Sequence, residues 1–274
     1  MIDYIIIGFL QGIVEWLPIS SQGGLVFYIS NFLEMPPEIS LDYSVFLHIG
    51  TLFSAMVYFR KELYNIFSLK NINLLLKYNV QILKIKEKKE TENFLMLRFL
   101  FFSVLITFVI ATPIYFFIRE RFSLVAVSQI NLLIGILLFA TGFLILFSKK
   151  SIIQKYDLSI KNAILLGVAQ GFAIIPGLSR SGLTTSALLF RGFSPEKSFR
   201  ISFLLSIPTM IIGEIGFLFL KGIFFSPYAL LSLLISFVVG YLTIDLLLKF
   251  ARKINFSYFC FVLGFIYIIT FFIR

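Results

Sequence analysis

Two short polar stretches interrupt an otherwise apolar chain. The first runs Gln11-Gly12-Ile13-Val14-Glu15-Trp16-Leu17-Pro18-Ile19-Ser20-Ser21, and the second Pro176-Gly177-Leu178-Ser179-Arg180-Ser181-Gly182-Leu183-Thr184. Arg180 is the most informative residue in either. A charge at the centre of a bilayer costs about 2.5–3.5 kcal/mol even on insertion scales, so this guanidinium requires a partner or a wet cavity. Around it stand three hydroxyls, Ser179, Ser181 and Thr184, and the start of a new helix, whose free N–H groups favour an anion. A guanidinium fork beside such a helix start is phosphate-binding chemistry. The plainer alternative is an Arg180 that only pairs with Glu15 or Glu214 to hold two segments together.

Glu15 is the complement in the first stretch, with Gln11 one turn earlier on the same face. A carboxylate beside an anion site either holds a metal that bridges to the phosphate or takes a proton from a nucleophile. Ser20 and Ser21 are candidates for that nucleophile or for the cap of the following helix; capping suits Ser20 better and chemistry suits Ser21. His48, the single histidine, is read either as a packed residue or as a polar member of the same cavity. Glu214 sits in the outer half of its span, where a carboxylate is costly enough to suggest a cavity-facing role, with no motif around it. Asp245 and Lys249 form an i,i+4 pair of structural character.

The elements that must position these residues are set by composition. Hydrophobic residues make up 59% of the 274 and charged residues 14%, which excludes a soluble globular domain and, despite a net charge of +10, nucleic-acid binding. The expected fold class is an all-α polytopic membrane protein in one integral membrane domain. Six segments are long enough to cross a bilayer, at 41–60, 95–118, 124–147, 197–221, 227–250 and 254–273. Residues 2–33 and 160–192 break at Pro18 and Pro176 into pieces of about 10 to 16 residues, too short to cross at 1.5 Å per residue, and read as re-entrant helical hairpins. Gly8-x-x-Gln11-Gly12 returns as Gly167-x-x-Gln170-Gly171, an offset of 159 residues. The chain therefore reads as two repeats, 1–147 and 160–274, each a hairpin followed by three spans. The odd span count makes their topology inverted. Residues 62–94 form a basic cytoplasmic insert, expected as an interfacial helix. Nineteen Lys and Arg fall on one face and four on the other, so the positive-inside rule puts both termini and the mouth of the first hairpin outside. No Lys or Arg precedes Arg60, so no cleavable signal is expected at the N-terminus. The lone Cys260 allows no internal disulfide.

The two motifs resemble the signatures of the undecaprenyl pyrophosphate phosphatase family of the BacA type. The resemblance extends to Leu47-His48-Ile49-Gly50-Thr51, Tyr58-Phe59-Arg60 and Ser202-Phe203-Leu204-Leu205-Ser206-Ile207-Pro208, and so covers most of the chain. It implies an enzyme that hydrolyses a polyprenyl diphosphate to the monophosphate and inorganic phosphate on the outer face of the cell membrane, recycling a glycan carrier lipid. In that reading Glu15, Ser21 and Arg180 are catalytic, and Glu15 also serves a divalent cation, Mg2+ or Ca2+. Ser20, Ser179, Ser181, Thr184, Gln11 and His48 contact substrate. The expected partners are the polyprenyl diphosphate and membrane lipids, with a homodimer allowed. The family's first motif continues Ser-Ser-x-Gly-His, whereas Gly24 stands in the histidine's place here, and Gln11 stands where some members carry a second Glu. Glu15, His48 or a metal-bound water would then replace that imidazole. The alternative is a polyprenyl-phosphate binding protein or flippase without hydrolysis.

Overall fold

Prolines and serines set where the helices begin. Pro37, Pro195 and Pro227 open three of the long helices, a position where the missing N–H costs no intrahelical bond. Ser20, Ser159 and Ser179 cap three short ones, each accepting from a backbone N–H three residues on. The computed structural model describes residues 2–76, 88–122, 124–148, 157–221, 226–250 and 255–273. Twelve helices lie among them. They are α1 (Ile2–Val14), α2 (Ser21–Phe32), α3 (Pro37–Tyr58), α4 (Arg60–Ile66), α5 (Leu69–Leu76), α6 (Lys88–Phe122), α7 (Val127–Ser148), α8 (Ile160–Phe172), α9 (Arg180–Phe190), α10 (Pro195–Lys221), α11 (Pro227–Phe250) and α12 (Ser257–Ile273).

Five helices are long and apolar enough to cross a membrane: α3, α6, α7, α10 and α11; α12 is apolar but has only 17 residues. Their bounds differ from the expected spans in physically sensible ways. The span expected at 41–60 begins at Pro37 and stops at Tyr58, because α4 restarts the chain at Arg60. The span expected at 95–118 lies inside a 35-residue helix of about 52 Å. Much of the 62–94 insert is therefore not a single interfacial helix: it is α4, α5 and the first turns of α6, while 77–87 lie outside the described residues. The broken regions do give short helices, α1 and α2 of 13 and 12 residues, α8 and α9 of 13 and 11.

Glycines decide which helices touch. An added Cβ at Gly8 or Gly12 would sit 2.5 Å from Ser232 O or 2.7 Å from Val239 Cβ on α11. At Gly167 or Gly171 it would sit 2.6 Å from Ser103 O or 2.6 Å from Ile110 Cβ on α6. The glycines of the repeated Gly-x-x-Gln-Gly pattern thus let α1 lie against α11 and α8 against α6, as small residues do wherever helices pack closely in a membrane. Helix α7 packs along α12, and α3 along α11 and α10. Trp16 follows Glu15 and anchors it: fully buried against Phe203, its indole N–H donates to Gly240 O at 3.1 Å.

Candidate active site

The two broken regions meet tip to tip. Ser20 Oγ accepts from the N–H of Gly23 in its own helix and of Gly177 from the opposite tip, both at 3.2 Å. Ser20 itself has φ 61°, a left-handed conformation unusual for a non-glycine residue, held by this double acceptance. Ser181 Oγ donates to Leu17 O at 2.9 Å in the return direction, and Cys260 Sγ donates to Pro18 O at 3.1 Å. Gly177, at φ +102°, brings its backbone against Ile134, where a Cβ would lie 2.8 Å from Ile134 Cα.

This joint aims four helices at one carboxylate. Glu15 is 5% exposed. Its Oε2 accepts from Gln11 Nε2 at 3.0 Å and Ser21 Oγ at 2.7 Å, and His48 Nε2 lies 3.3 Å away. Its Oε1 pairs with Arg180 Nη2. Ser21 and Arg180 each open a helix directly after its serine cap, so α2 and α9 present their free N–H ends to the same space. On the far side of the imidazole, Glu214 Oε1 is 4.0 Å from His48 Nδ1. Four buried polar atoms in and beside the site have no partner among the described residues: Arg180 Nη1, Glu214 Oε2, Gln170 Oε1 and, behind Glu15, Gln11 Oε1. Buried polar groups are nearly always satisfied, so each orphan marks a place for something else.

The space is a cavity of about 410 Å³. Of the residues singled out by sequence, Glu15, Ser20, Ser21, Ser179, Arg180, Ser181 and His48 line it. Ser20 and Ser181 nevertheless spend their hydroxyls on the hairpin joint, and Ser179 spends its own on the α9 cap, its Oγ accepting from Gly182 N–H at 3.2 Å and lying 3.3 Å from Ser181 Oγ. Thr184 and Gln11 do not line it. Thr184 Oγ1 donates to Arg180 O at 2.7 Å and meets Ser202 Oγ at 2.6 Å, so it supports the arginine from behind, while Gln11 holds Glu15 and reaches Thr51 Oγ1 at 3.4 Å. Cavity residues given no role by the sequence are Gln22 and Thr209, together with Gln170 and Ser206, which stood in quoted stretches without one; Glu214, which carried no motif, lines the cavity too. Gln170 bonds Thr209 Oγ1 at 2.7 Å, the counterpart of the Gln11 to Thr51 contact. The 159-residue offset that marked Gln170 carries Thr51 to Met210, one residue past Thr209, so the repeat alone did not place this threonine. Gly24 is not a cavity residue; a Cβ there would meet Tyr267 Oη at 3.5 Å.

Among the described residues no group of three His, Cys, Asp or Glu has metal-holding spacing. The donors fit a hard cation only in the mode that takes one or two carboxylates and draws its other ligands from substrate phosphates.

Comparison with known proteins supplies a family. Residues 4–266 match the family model described as "Bacitracin resistance protein BacA". A protein of Methanothrix thermoacetophila named undecaprenyl-diphosphatase is 36% identical over 268 residues, covering 96% of this chain and 93% of the relative. Proteins of the same name from Methanococcoides burtonii and Sulfurisphaera tokodaii are 35% and 34% identical, over 99% and 98% of this chain and 98% and 97% of theirs.

Proposed function

The chain belongs to the BacA family of bacitracin resistance proteins, and from that premise and the cavity's chemistry we propose that it is an undecaprenyl-diphosphatase, hydrolysing the lipid diphosphate to the monophosphate and inorganic phosphate. The observation that carries this reading is the unpartnered Nη1 of Arg180, buried beside a carboxylate-bound serine and two helix N-termini. A terminal phosphate would accept from that nitrogen and from the free N–H groups of α2 and α9.

Ser21 Oγ attacks the terminal phosphorus while Glu15 takes its proton across the existing 2.7 Å hydrogen bond. The new Oγ–P bond forms as the bridging P–O bond breaks, and the polyprenyl monophosphate leaves with the bridging oxygen. Glu15 passes that first proton to the departing monophosphate, then takes a proton from the water that attacks the phosphoserine and hands it to the leaving Ser21 Oγ, so inorganic phosphate is released and the serine restored. Arg180 carries charge on the equatorial oxygens. His48, close to Glu15 Oε2, supplies from α3 the imidazole that Gly24 cannot. A Mg2+ or Ca2+ ion held by Glu15 and by diphosphate oxygens would neutralise part of the substrate's charge.

Six spans and two re-entrant hairpins in inverted repeat would put this cavity in the membrane with its mouth toward the outer face of the cell membrane. Support comes from the excess of Lys and Arg on the opposite face and from the exchange of partners by which α1 rests on α11 as α8 rests on α6. The test is phosphate release from undecaprenyl diphosphate by purified protein with Mg2+, Ca2+ or EDTA. Metal-dependent release is expected. Flipping of the lipid in vesicles without phosphate release would instead make the protein a transporter.

A further inference from the structure

Gly213 and Gly216 are out of keeping with the other interior glycines of the spans. Gly8, Gly12, Gly135, Gly167 and Gly264 each lie where a Cβ would come within 3.0 Å of a neighbouring helix, whereas at Gly213 and Gly216 it would meet nothing within 4 Å. Glycine weakens a helix relative to alanine, and neither close packing nor a positive φ accounts for these two. Both are exposed, and both line the cavity that holds Glu15 and Arg180.

Their neighbours have the same double character. Ile212 and Leu220 on α10 and Phe116 on α6 line the cavity while 48%, 52% and 48% exposed, and Thr112 on α6 does likewise. A cavity wall that also faces outward is an opening, so the cavity parts toward the lipid between α6 and α10. Both helices carry an internal proline, Pro113 and Pro208, each removing one ladder hydrogen bond near this seam. Glu214, between the two glycines, turns the other way: it is 7% exposed, lines the cavity and leaves Oε2 without a partner beside His48. One turn of α10 thus sets a polar, unfilled interior beside an apolar exterior that the two glycines leave thinly covered.

We propose that Gly213 and Gly216 form the floor of a track on which the isoprenoid tail of the substrate leaves the head-group site and passes between α6 and α10 into the bilayer. This rests on the diphosphatase reading, and it assigns these glycines to recognition of chain length. The occupant follows from continuity: the track and the phosphate-binding residues border one cavity, and a lipid diphosphate is the ligand whose two ends match a charged pocket joined to an apolar seam. A leucine at either position would stand in the path of a long tail, and clashes of that size in apolar sites shift selectivity by about 10-fold or more.

The experiment compares kcat/KM for geranyl, farnesyl and undecaprenyl diphosphate in the native protein, Gly213→Leu, Gly216→Leu and the corresponding alanine variants. The alanine forms add a methyl into open space and set the baseline for folding, checked by thermal melting and gel filtration. The expected result is a leucine penalty that grows with chain length, so that the undecaprenyl-to-geranyl ratio falls by about 10-fold or more. A penalty equal for all three substrates, or none, overturns the track. Conversion of a dimer to a monomer in the leucine variants, with the ratio unchanged, assigns the seam to a second copy and overturns it as well. No phosphate release from any substrate by the native protein refutes the functional reading itself, a failure distinct from the other two.

Discussion

Breaking the Glu15–Arg180 pair separates a structural tie from a catalytic one. Arg180→Ala removes the guanidinium from a carboxylate whose side chain is 3% exposed, while the arginine's own is 17% exposed. Removing one partner of a buried pair costs about 3–5 kcal/mol. Glu15 would keep Gln11, Ser21 and His48, and the cavity admits water, so a smaller cost than that range, about 2–3 kcal/mol, is expected. For a chain of this size that is a fall in Tm of about 4–12 °C. Glu15→Gln/Arg180→Ala removes both charges, leaves no buried ion unpaired and should recover roughly half of that loss. Activity should not follow. Loss of the phosphate fork costs about 10²- to 10³-fold in kcat, and loss of the proton acceptor adds to it, so the double variant should be the more stable yet no more active than Arg180→Ala. Thermal melts by tryptophan fluorescence, run beside phosphate release from undecaprenyl diphosphate, give both axes. Activity that rises and falls with Tm across the native protein and the two variants, or full metal-dependent release by Arg180→Ala, would refute a catalytic arginine and leave it a strut between hairpins.

Four further outcomes follow from the same geometry. Ser21→Ala should lower kcat by about 10²-fold or more while lowering Tm no further than Arg180→Ala does, since a hydrogen bond to a charged group is worth about 1.5–3 kcal/mol; acid-quenched labelled substrate should leave no phosphoprotein in this variant. His48→Ala should lower kcat by about 10²- to 10⁴-fold, and Gly24→His, which places its Cβ 3.5 Å from Tyr267 Oη without a clash, should restore part of it; no rescue would mean the two imidazoles are not equivalent. Gly12→Leu and Gly171→Leu should each destabilise by about 3 kcal/mol or more, read as poor yield or a lowered melting midpoint, because Val239 and Ile110 already occupy the added side chain's place. Arg180→Lys should keep the charge but lose the fork, raising KM about 10-fold relative to the native protein in initial-rate assays.

Much of this protein is determined by its linear sequence, because the membrane imposes rules that composition and spacing satisfy visibly. Long apolar runs have to be helices when no water is available to the backbone, and Pro18 and Pro176 cannot lie inside a helix without cost, so the long helices and the short broken ones are both legible. Ser20, Ser159 and Ser179 cap helices because a hydroxyl three residues before a free N–H is a local arrangement. The Glu15 and Arg180 motifs are equally local, and an ionised residue in such surroundings announces itself by its cost. Only tertiary structure decided what those residues touch. Ser181 and Ser20 look like phosphate ligands by type but join the hairpins, because partners 157 and 164 positions distant arrive from the other repeat, and Thr184 turns its back on the cavity because Ser202 of α10 lies behind it. Glu214 has no motif since its role is set by His48, on another helix. Among its described residues the insert at 62–94 gives α4, α5 and the start of α6 rather than one helix, since α6 is already helical from Lys88. Gly12 and Gly213 are the same residue in an apolar helix, yet one lies against a neighbour and the other faces open space. Helix propensity and hydropathy are properties of a segment, whereas that distinction depends on which helix lies opposite, and only packing supplies it.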